Sequence, residues 1–405
     1  MTEAEIAKLA SWLAMAGLKG KMETALLEGF CSRAAAAGLS LARVILFIDT
    51  LHPIHEGRAF RWERDKPEAT LTEYGRTAAG EAAERWRANP FFRMLTEGES
   101  VMRRRIPPQG DLEFPMFVEM RDASITDFLA IINRFAEDGA IGDMDCVYSS
   151  WTTDRPEGFA DGEIEALKRL APFLGLAIKS ASLARIAETL VETYLGRDAG
   201  RRVLRGRIER GVADRIKTVL WFSDLRNYTR ISDTAPPEEI IPLLNDYAEA
   251  IVSSIQQYAG DVLKLIGDGV LAIFPAEQRA QACAAALDAA GAAQEAVTAL
   301  NARRFEMGLP ATEMYLGLHI GEVFYGNIGS KERLDFTVVG PAVNEVSRIA
   351  AMCRSVDQPI LISAAFAESC AEQRRAFASV GRFALRGVGK PQELFTLDLA
   401  ASIVS

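Results

Sequence analysis

The sequence predicts an α+β protein in two parts, and three observations predict it. From about residue 215 onward, short apolar strands outnumber helices and meet partly through tight hairpins, which favours a largely antiparallel sheet with helices on one face. Between 161 and 194 apolar residues at 167, 170, 174, 178, 183, 186, 190 and 194 sustain one stripe with little punctuation, as in a coiled-coil-like connector. The chain has 405 residues and is 49% hydrophobic, which is room for two or three domains with sizeable cores.

The N-terminal part begins with two Ala- and Leu-rich helices, residues 2–16 and 21–37, with Gly17 and Gly38 as stops. Residues 42–49 are β-branched and apolar, a buried strand. His52 and His55 follow with a spacing that suits a metal or haem, or simply a polar loop, because no third ligand candidate is obvious. Residues 80–96 read as helical with Pro90 breaking the pattern, 124–137 as another helix, and 145–151 as a strand. Asp161 is placed to cap the long helix that follows. Seven arginines then crowd between Gly196 and Lys217, fitting a solvated linker face or a contact with an anionic partner or membrane surface.

The C-terminal pattern is a strand at 218–223, a helix near 237–258 opened by Pro236 and Pro237, a hairpin at 262–274 and an Ala-rich helix near 277–304. Strands at 313–320 and 322–328, a helix from 341 to 353, a strand at 359–362 and a hairpin near 380–397 complete it. A βαβ unit with an inserted hairpin is a ferredoxin-like layout. The boundaries expected are 1–185 for a regulatory domain, 186–214 for a helical linker and 215–405 for a catalytic domain.

Composition narrows the partners. A net charge of -9 and a pI near 5.2 argue against a general nucleic-acid binder. Five scattered cysteines without a CxxC pair read as reduced thiols of a cytoplasmic protein, and the N-terminus lacks the features of a signal peptide. Arg169, Lys179 and Arg185 interrupt the best candidate for a membrane span, so none is expected.

The chemistry centres on two acids. Asp224 ends the apolar run that starts at Val219, and Asp268 sits in the hairpin turn Gly267-Asp-Gly. If both segments pair in one sheet, the carboxylates fall at the same edge, a site for two divalent cations that would serve a phosphate substrate. Asn344 and Arg348 are four apart on an expected helix and so share a face.

Four stretches in order, Phe222-Ser-Asp-Leu-Arg-Asn-Tyr-Thr, Lys264-Leu-Ile-Gly-Asp-Gly, Gly317-Leu-His-Ile-Gly-Glu-Val and residues 335–348, resemble the successive motifs of class III nucleotidyl cyclases. The resemblance covers about 215–397 and implies roles. Asp224 and Asp268 would hold two Mg²⁺ or Mn²⁺ ions, with the Leu225 carbonyl completing the shell and the amides of Asn227, Tyr228 and Thr229 cradling phosphate oxygens. Asn344 would orient the ribose and Arg348 would stabilise charge on the α-phosphate. Arg386 stands where the family usually has a lysine for the terminal phosphates, with Lys390 nearby. Lys264 and Thr337 match the purine-selecting pair, and a lysine donor there favours ATP over GTP. A Lys/Thr pair also resembles the subgroup in which bicarbonate stimulation is known. Pro341 departs from the usual Asp, but a first-turn proline is tolerated.

In that family the metal aspartates come from one subunit and the purine pair, Asn and Arg from the other, so the resemblance implies a homodimer with two shared sites. The activity implied is ATP to 3′,5′-cyclic AMP and pyrophosphate. The alternatives are a guanylate cyclase and a cyclase-like nucleotide-sensing or dimerisation module without turnover. Residues 20–185 resemble a GAF-type sensor domain in strand order and in the Pro156-Glu-Gly-Phe-Ala-Asp turn, which would supply a small-molecule pocket for an unknown ligand; an apolar packing domain with no ligand is the other reading.

Overall fold

In the computed structural model, residues 1–66, 68–135, 141–370 and 377–397 are described. The chain divides into two compact units, Met1–Leu190 and a second that begins at Val191.

The first unit comprises α1 (Glu3–Leu18), α2 (Glu23–Ala36), β1 (Arg43–Asp49), β2 (Gly57–Glu63), β3 (Thr70–Tyr74), α3 (Gly80–Arg87), α4 (Pro90–Glu97), β4 (Val101–Arg105), α5 (Met116–Asp122), β5 (Asp127–Arg134), β6 (Cys146–Thr153) and most of α6 (Asp161–Leu195). Its six strands form one sheet in the order β3-β2-β1-β6-β5-β4, and each neighbouring pair is antiparallel. Alternation along β1 sends Val44, Leu46 and Ile48 to a core shared with α1, α2 and α6, while Phe47 joins a second core with α4 and α5.

Helix boundaries follow local chemistry. Thr2 and Glu5 form a reciprocal capping box on α1. Asn89 accepts from the Phe91 amide at 3.0 Å and Pro90 opens α4, so the proline ends one helical run by starting another.

Several expectations are corrected here. The run expected as a helix at 124–137 is strand β5 over its described core, because Phe128–Ile132 is apolar and buried on both faces, a pattern that short helices and central strands share. Residues 136 and 137 lie outside the described residues. The long helix is no bare connector: Leu167, Leu170, Leu174, Ile178 and Ile186 are buried in the first unit's core. Asp161 is its first helical residue rather than its cap, and Glu163 reaches back to the Ala160 amide at 2.7 Å instead. Helix α1 continues through Gly17, against which Ala177 packs closely. Among the described residues α6 is the one helix long and apolar enough to cross a membrane by length and composition.

The second unit comprises α7 (Arg197–Leu204), β7 (Ala213–Leu225), α8 (Tyr228–Thr234), α9 (Pro237–Gln257), β8 (Asp261–Ile266), β9 (Gly269–Pro275), α10 (Arg279–Glu306), β10 (Met314–Gly329), β11 (Leu334–Val339), α11 (Pro341–Val356), β12 (Ile360–Ser363), α12 (Ala364–Ser369), β13 (Phe377–Phe383) and β14 (Gln392–Leu397). Its sheet runs β13-β14-β12-β10-β7-β9-β8, with β11 also paired to β10. All pairs are antiparallel except β10 with β12.

The two strands expected at 313–328 are one. The β7 ladder holds from Met314 to Gly326, and Gly321 is the point of close approach to Ala342, where a Cβ would fall 2.5 Å from that of the alanine. Helices cover both faces of the sheet, not one. Val219, Trp221, Leu316 and Leu318 pack with α9 and α10, whereas Leu220, Leu271 and Val323 pack with α7 and α11. Helix α7, inside the segment expected as a linker, is anchored to β8: Asp261 Oδ1 accepts from the Arg197 and Asp198 amides at 3.2 and 3.4 Å.

Candidate active site

The two acids meet because of how β7 and β9 pair. Strand β7 is central, lying between β10 and β9, and Ser223 stands opposite Val270. The two-residue turn from β8 to β9 is Gly267-Asp268, with Gly267 at φ 63°, the position where hairpins need a glycine. Gly269 then passes so close to β7 that a Cβ on it would lie 2.9 Å from the Ser223 carbonyl. That close approach sets Asp268 beside the end of β7. The Leu225 amide donates to Asp224 Oδ1 at 3.1 Å and to Asp268 Oδ2 at 3.2 Å, so one N–H ties both carboxylates.

Partial burial, then the hydrogen bond and charge of Asp268, push the Asp224 carboxyl up to about 6, while the Leu225 amide and Arg354 act against that shift. A cation bound between the two carboxylates would remove the repulsion by Asp268. The donors at this point are oxygens, which fits a hard divalent cation. No group of three or more His, Cys, Asp or Glu able to hold a metal occurs among the described residues, so two carboxylates would leave most of a shell to backbone, water and phosphate oxygens, as suits Mg²⁺.

Immediately after β7, Asn227 takes a left-handed conformation (φ 57°) and opens α8, whose first amides have no intrahelical carbonyl to meet. Asn227 and Thr229 are exposed and Tyr228 half-buried. The expected substrate-contacting run is therefore a turn adjoining the acids.

On α11, Asn344 is exposed and Arg348 half-buried. The Arg348 guanidinium lies over the turn at 385–388: a Cβ on Gly387 (φ 73°) would sit 2.9 Å from Nη1. This brings Arg348 next to the turn that carries Arg386, and among the described residues neither arginine has an acidic partner within ion-pair distance. Two unpaired guanidinium groups at neighbouring positions suit an anionic ligand. Lys390 is exposed nearby in sequence.

Lys264 forms an ion pair with Asp335, two residues before Thr337. Asp335 and Thr337 alternate with the buried Phe336 and Val338 on β11, so they share the face that Lys264 meets. Sequence reasoning missed Asp335, although its spacing of two from Thr337 carried the signal. It also missed Arg354, the cation that acts on Asp224 from within the chain, and nothing local marked it.

His319 lies in the third stretch but is a core residue: 6% exposed, bonded through Nδ1 to Ser363 Oγ at 2.9 Å, and pushed down to about 4 by burial. In the first unit, His52 Nδ1 accepts from the Ile54 and His55 amides at 3.1 Å, while His55 Nε2 is 3.2 Å from Glu73. That is turn chemistry, and among the described residues the two histidines belong to no group of three or more His, Cys, Asp or Glu able to hold a metal.

Residues 213–398 match the family model described as the adenylate and guanylate cyclase catalytic domain. An adenylate cyclase of Anabaena cylindrica is 34% identical over 202 residues, which cover 48% of this chain and 38% of that protein. The chain thus spans well under half the length of the curated relatives it matches. Solved structures that resemble the chain include the adenylyl cyclase CyaB from P. aeruginosa (25% identity, TM-score 0.42, 46% of this chain and 95% of that one). Another is the guanylyl cyclase Cya2 (29% identity, TM-score 0.41, 46% and 93%). The ordered motifs, the paired acids at the end of β7 and the family match agree in likening residues 213–398 to the catalytic domain of adenylate and guanylate cyclases.

Proposed function

We propose that the protein is an adenylate cyclase whose sites are shared between two copies of the chain. The observation that carries this reading is the single Leu225 amide held by both Asp224 and Asp268, a like-charged pair at the end of a central strand that calls for divalent cations. Asp224 and Asp268 would hold two Mg²⁺ or Mn²⁺ ions with help from the Leu225 carbonyl; bound there, such ions lower the pKa of a ribose hydroxyl and neutralise phosphate charge.

The chain's own residues account for the rest. The ribose 3′-oxygen attacks the α-phosphorus, a new P–O bond forms, the bond to pyrophosphate breaks, and the hydroxyl proton leaves to solvent. Asn344 holds the ribose in line, and Arg348 meets the charge that grows on the α-phosphate oxygens. Arg386 grips the terminal phosphates, with the amides of Asn227, Tyr228 and Thr229 beside them. Lys264 and Thr337 read the purine: the lysine donates to adenine N1, and Asp335 positions its ammonium until the base arrives. Both partners of that ion pair are more than a third exposed, so exchanging it for a base costs about 1 kcal/mol or less.

A homodimer is favoured by apolar side chains left exposed on the second unit, among them Leu265 and Ile266 just before Asp268 and Phe324 and Val339 on β10 and β11. Residues 1–185 would act as a GAF-like regulatory domain, with 186–214 relaying its state to the catalytic domain.

The test is turnover by the purified chain with ATP or GTP, each with Mg²⁺ or Mn²⁺, and cyclic products identified by mass spectrometry. Cyclic AMP from ATP in excess over cyclic GTP from GTP is expected. Preference for GTP would make it a guanylate cyclase, and no product with either nucleotide would leave a nucleotide-sensing module.

A further inference from the structure

The first unit contains a cleft of about 900 Å³ that no part of the cyclase chemistry uses. Its floor is built by strand register. Thr72, Ala59, Phe47 and Tyr148 are successive partners across β3, β2, β1 and β6, so they form one row on one face of the sheet. The small Ala59 and Thr72 leave the space, and Phe47 and Tyr148 wall it.

In the next row Tyr74, Gly57 and Asp49 are partners. Gly57 has no side chain there because a Cβ would lie 2.2 Å from the Tyr74 hydroxyl and 2.9 Å from Asp49 Oδ1. Over that gap the Tyr74 hydroxyl donates to Asp49 at 2.8 Å. Helices α3 and α4 supply the opposite wall, with the Trp86 ring 6.0 Å from Tyr148 and Phe91 5.3 Å from it.

The charges are arranged unevenly. Asp49, Glu56, Asp143 and Asp145 line the cleft against Arg76 and Arg85. Arg85 is exposed on α3, and Arg76 stands at the rim, 4.0 Å from Asp143. Glu56 is occupied with Thr77, whose hydroxyl donates to it at 2.6 Å. Asp49 is the acid set among the aromatic rings, and among the described residues no cation lies within ion-pair distance of it. Burial pushes its carboxyl up to about 6, Tyr74 acts against the shift, and Glu56, Asp145 and Asp143 add to it. A half-buried carboxylate with three acidic neighbours, in a cleft lined by five aromatic side chains, has the complement of an ammonium group on an apolar body, since aromatic rings attract a cation and the acid pairs with it.

We propose that this cleft binds a small organic cation, an amine carried on an aromatic or aliphatic body, with Asp49 as its counter-ion and Trp86 and Tyr148 as its walls. Binding is read directly and does not depend on the reading of the catalytic domain.

The test is calorimetric titration of the full chain at pH 7.5 with three probes that share one ring system: tryptamine, neutral 3-ethylindole and indole-3-propionate. Tryptamine is expected to bind saturably with one site, at least about tenfold more tightly than either analogue. Asp49→Asn, which keeps an acceptor for Tyr74, is expected to reduce that preference to roughly threefold or less, and Trp86→Leu to weaken all three probes. Melting curves confirm that each variant is folded, and the charge series on the native chain decides even if neither variant folds. Absence of saturable tryptamine binding up to about 5 mM, equal binding of the three probes, or an unchanged preference in folded Asp49→Asn would overturn the assignment.

Discussion

Asp49 in the first unit and Asp224 in the second are both held near a pKa of 6, and burial is the leading cause for each. Their company differs. Asp224 stands at the open end of a strand with a second carboxylate and a shared amide, and Arg354 is the cation that acts on it. Asp49 stands among rings, with a phenol as its hydrogen-bond donor. An unpaired carboxylate asks for a cation in either place, but a pair of carboxylates at a strand end suits a small hard ion that keeps its water, whereas an aromatic cleft suits a soft, weakly hydrated one. One physical problem thus has two solutions within one chain.

The largest expected effects break the catalytic side of this comparison. Asp224→Ala and Asp268→Ala should each lower turnover by roughly 10³-fold or more, about 4 kcal/mol of barrier. Their melting midpoints should be equal to or above that of the native chain, because each removes half of a repelling pair; a cooperative loss of fold would instead mean that the acids are structural. Arg348→Ala should cost roughly 10²- to 10³-fold in kcat with a smaller change in KM, read by steady-state kinetics.

Acid titration separates the two units by sign. His319 is buried neutral with its pKa lowered to about 4, so below pH 6.5 the unfolded chain binds a proton that the folded chain refuses. Its contribution to stability is whole above pH 6.5 and falls as pH drops towards 4, by about 3 kcal/mol at most. Asp49 has the opposite sign: its carboxyl is raised, so its contribution is whole below pH 4 and is lost as pH rises through 6. Melting series of His319→Gln and Asp49→Asn against the native chain should therefore diverge in opposite directions between pH 4 and 7. Parallel curves would contradict both assignments. The smallest effect concerns the purine pair. Asp335→Asn should lower the KM for ATP by roughly threefold with kcat nearly unchanged, since it removes the ion-pair partner that Lys264 gives up when the base binds.

Legibility in the sequence followed the same divide. The pairing of Asp224 and Asp268 was readable because each sits at a strand end or hairpin turn, where local chemistry fixes position: Ser223-Asp224 closes an apolar run and Gly267-Asp268-Gly269 is a turn. That Asn344 and Arg348 share one helix face followed from their spacing, whereas the roles expected of them came with the resemblance to class III nucleotidyl cyclases. The ion pair of Lys264 with Asp335 was not, since it depends on β8 and β11 coming together from 71 residues apart.

The first unit shows the limit more plainly. Strands β2, β3 and β4 carry exposed charged residues that weaken alternation, and the buried run in β5 has the same composition as a short helix. Its cleft joins Asp49, Tyr74, Trp86 and Tyr148 through strand register, which no window of sequence contains. The two-sided catalytic sheet was likewise hidden: the helix that covers its second face, α11, is the one whose polar residues had drawn attention.

The most direct test of a site shared between two copies is complementation. An Asp224→Ala chain mixed in equal amounts with an Arg348→Ala chain, each inactive alone, should regain roughly a quarter of native turnover once subunits exchange, because half the dimers are mixed and each holds one intact site. Mixed dimers that form, as shown by two affinity tags recovered together, yet make no cyclic AMP would contradict the account.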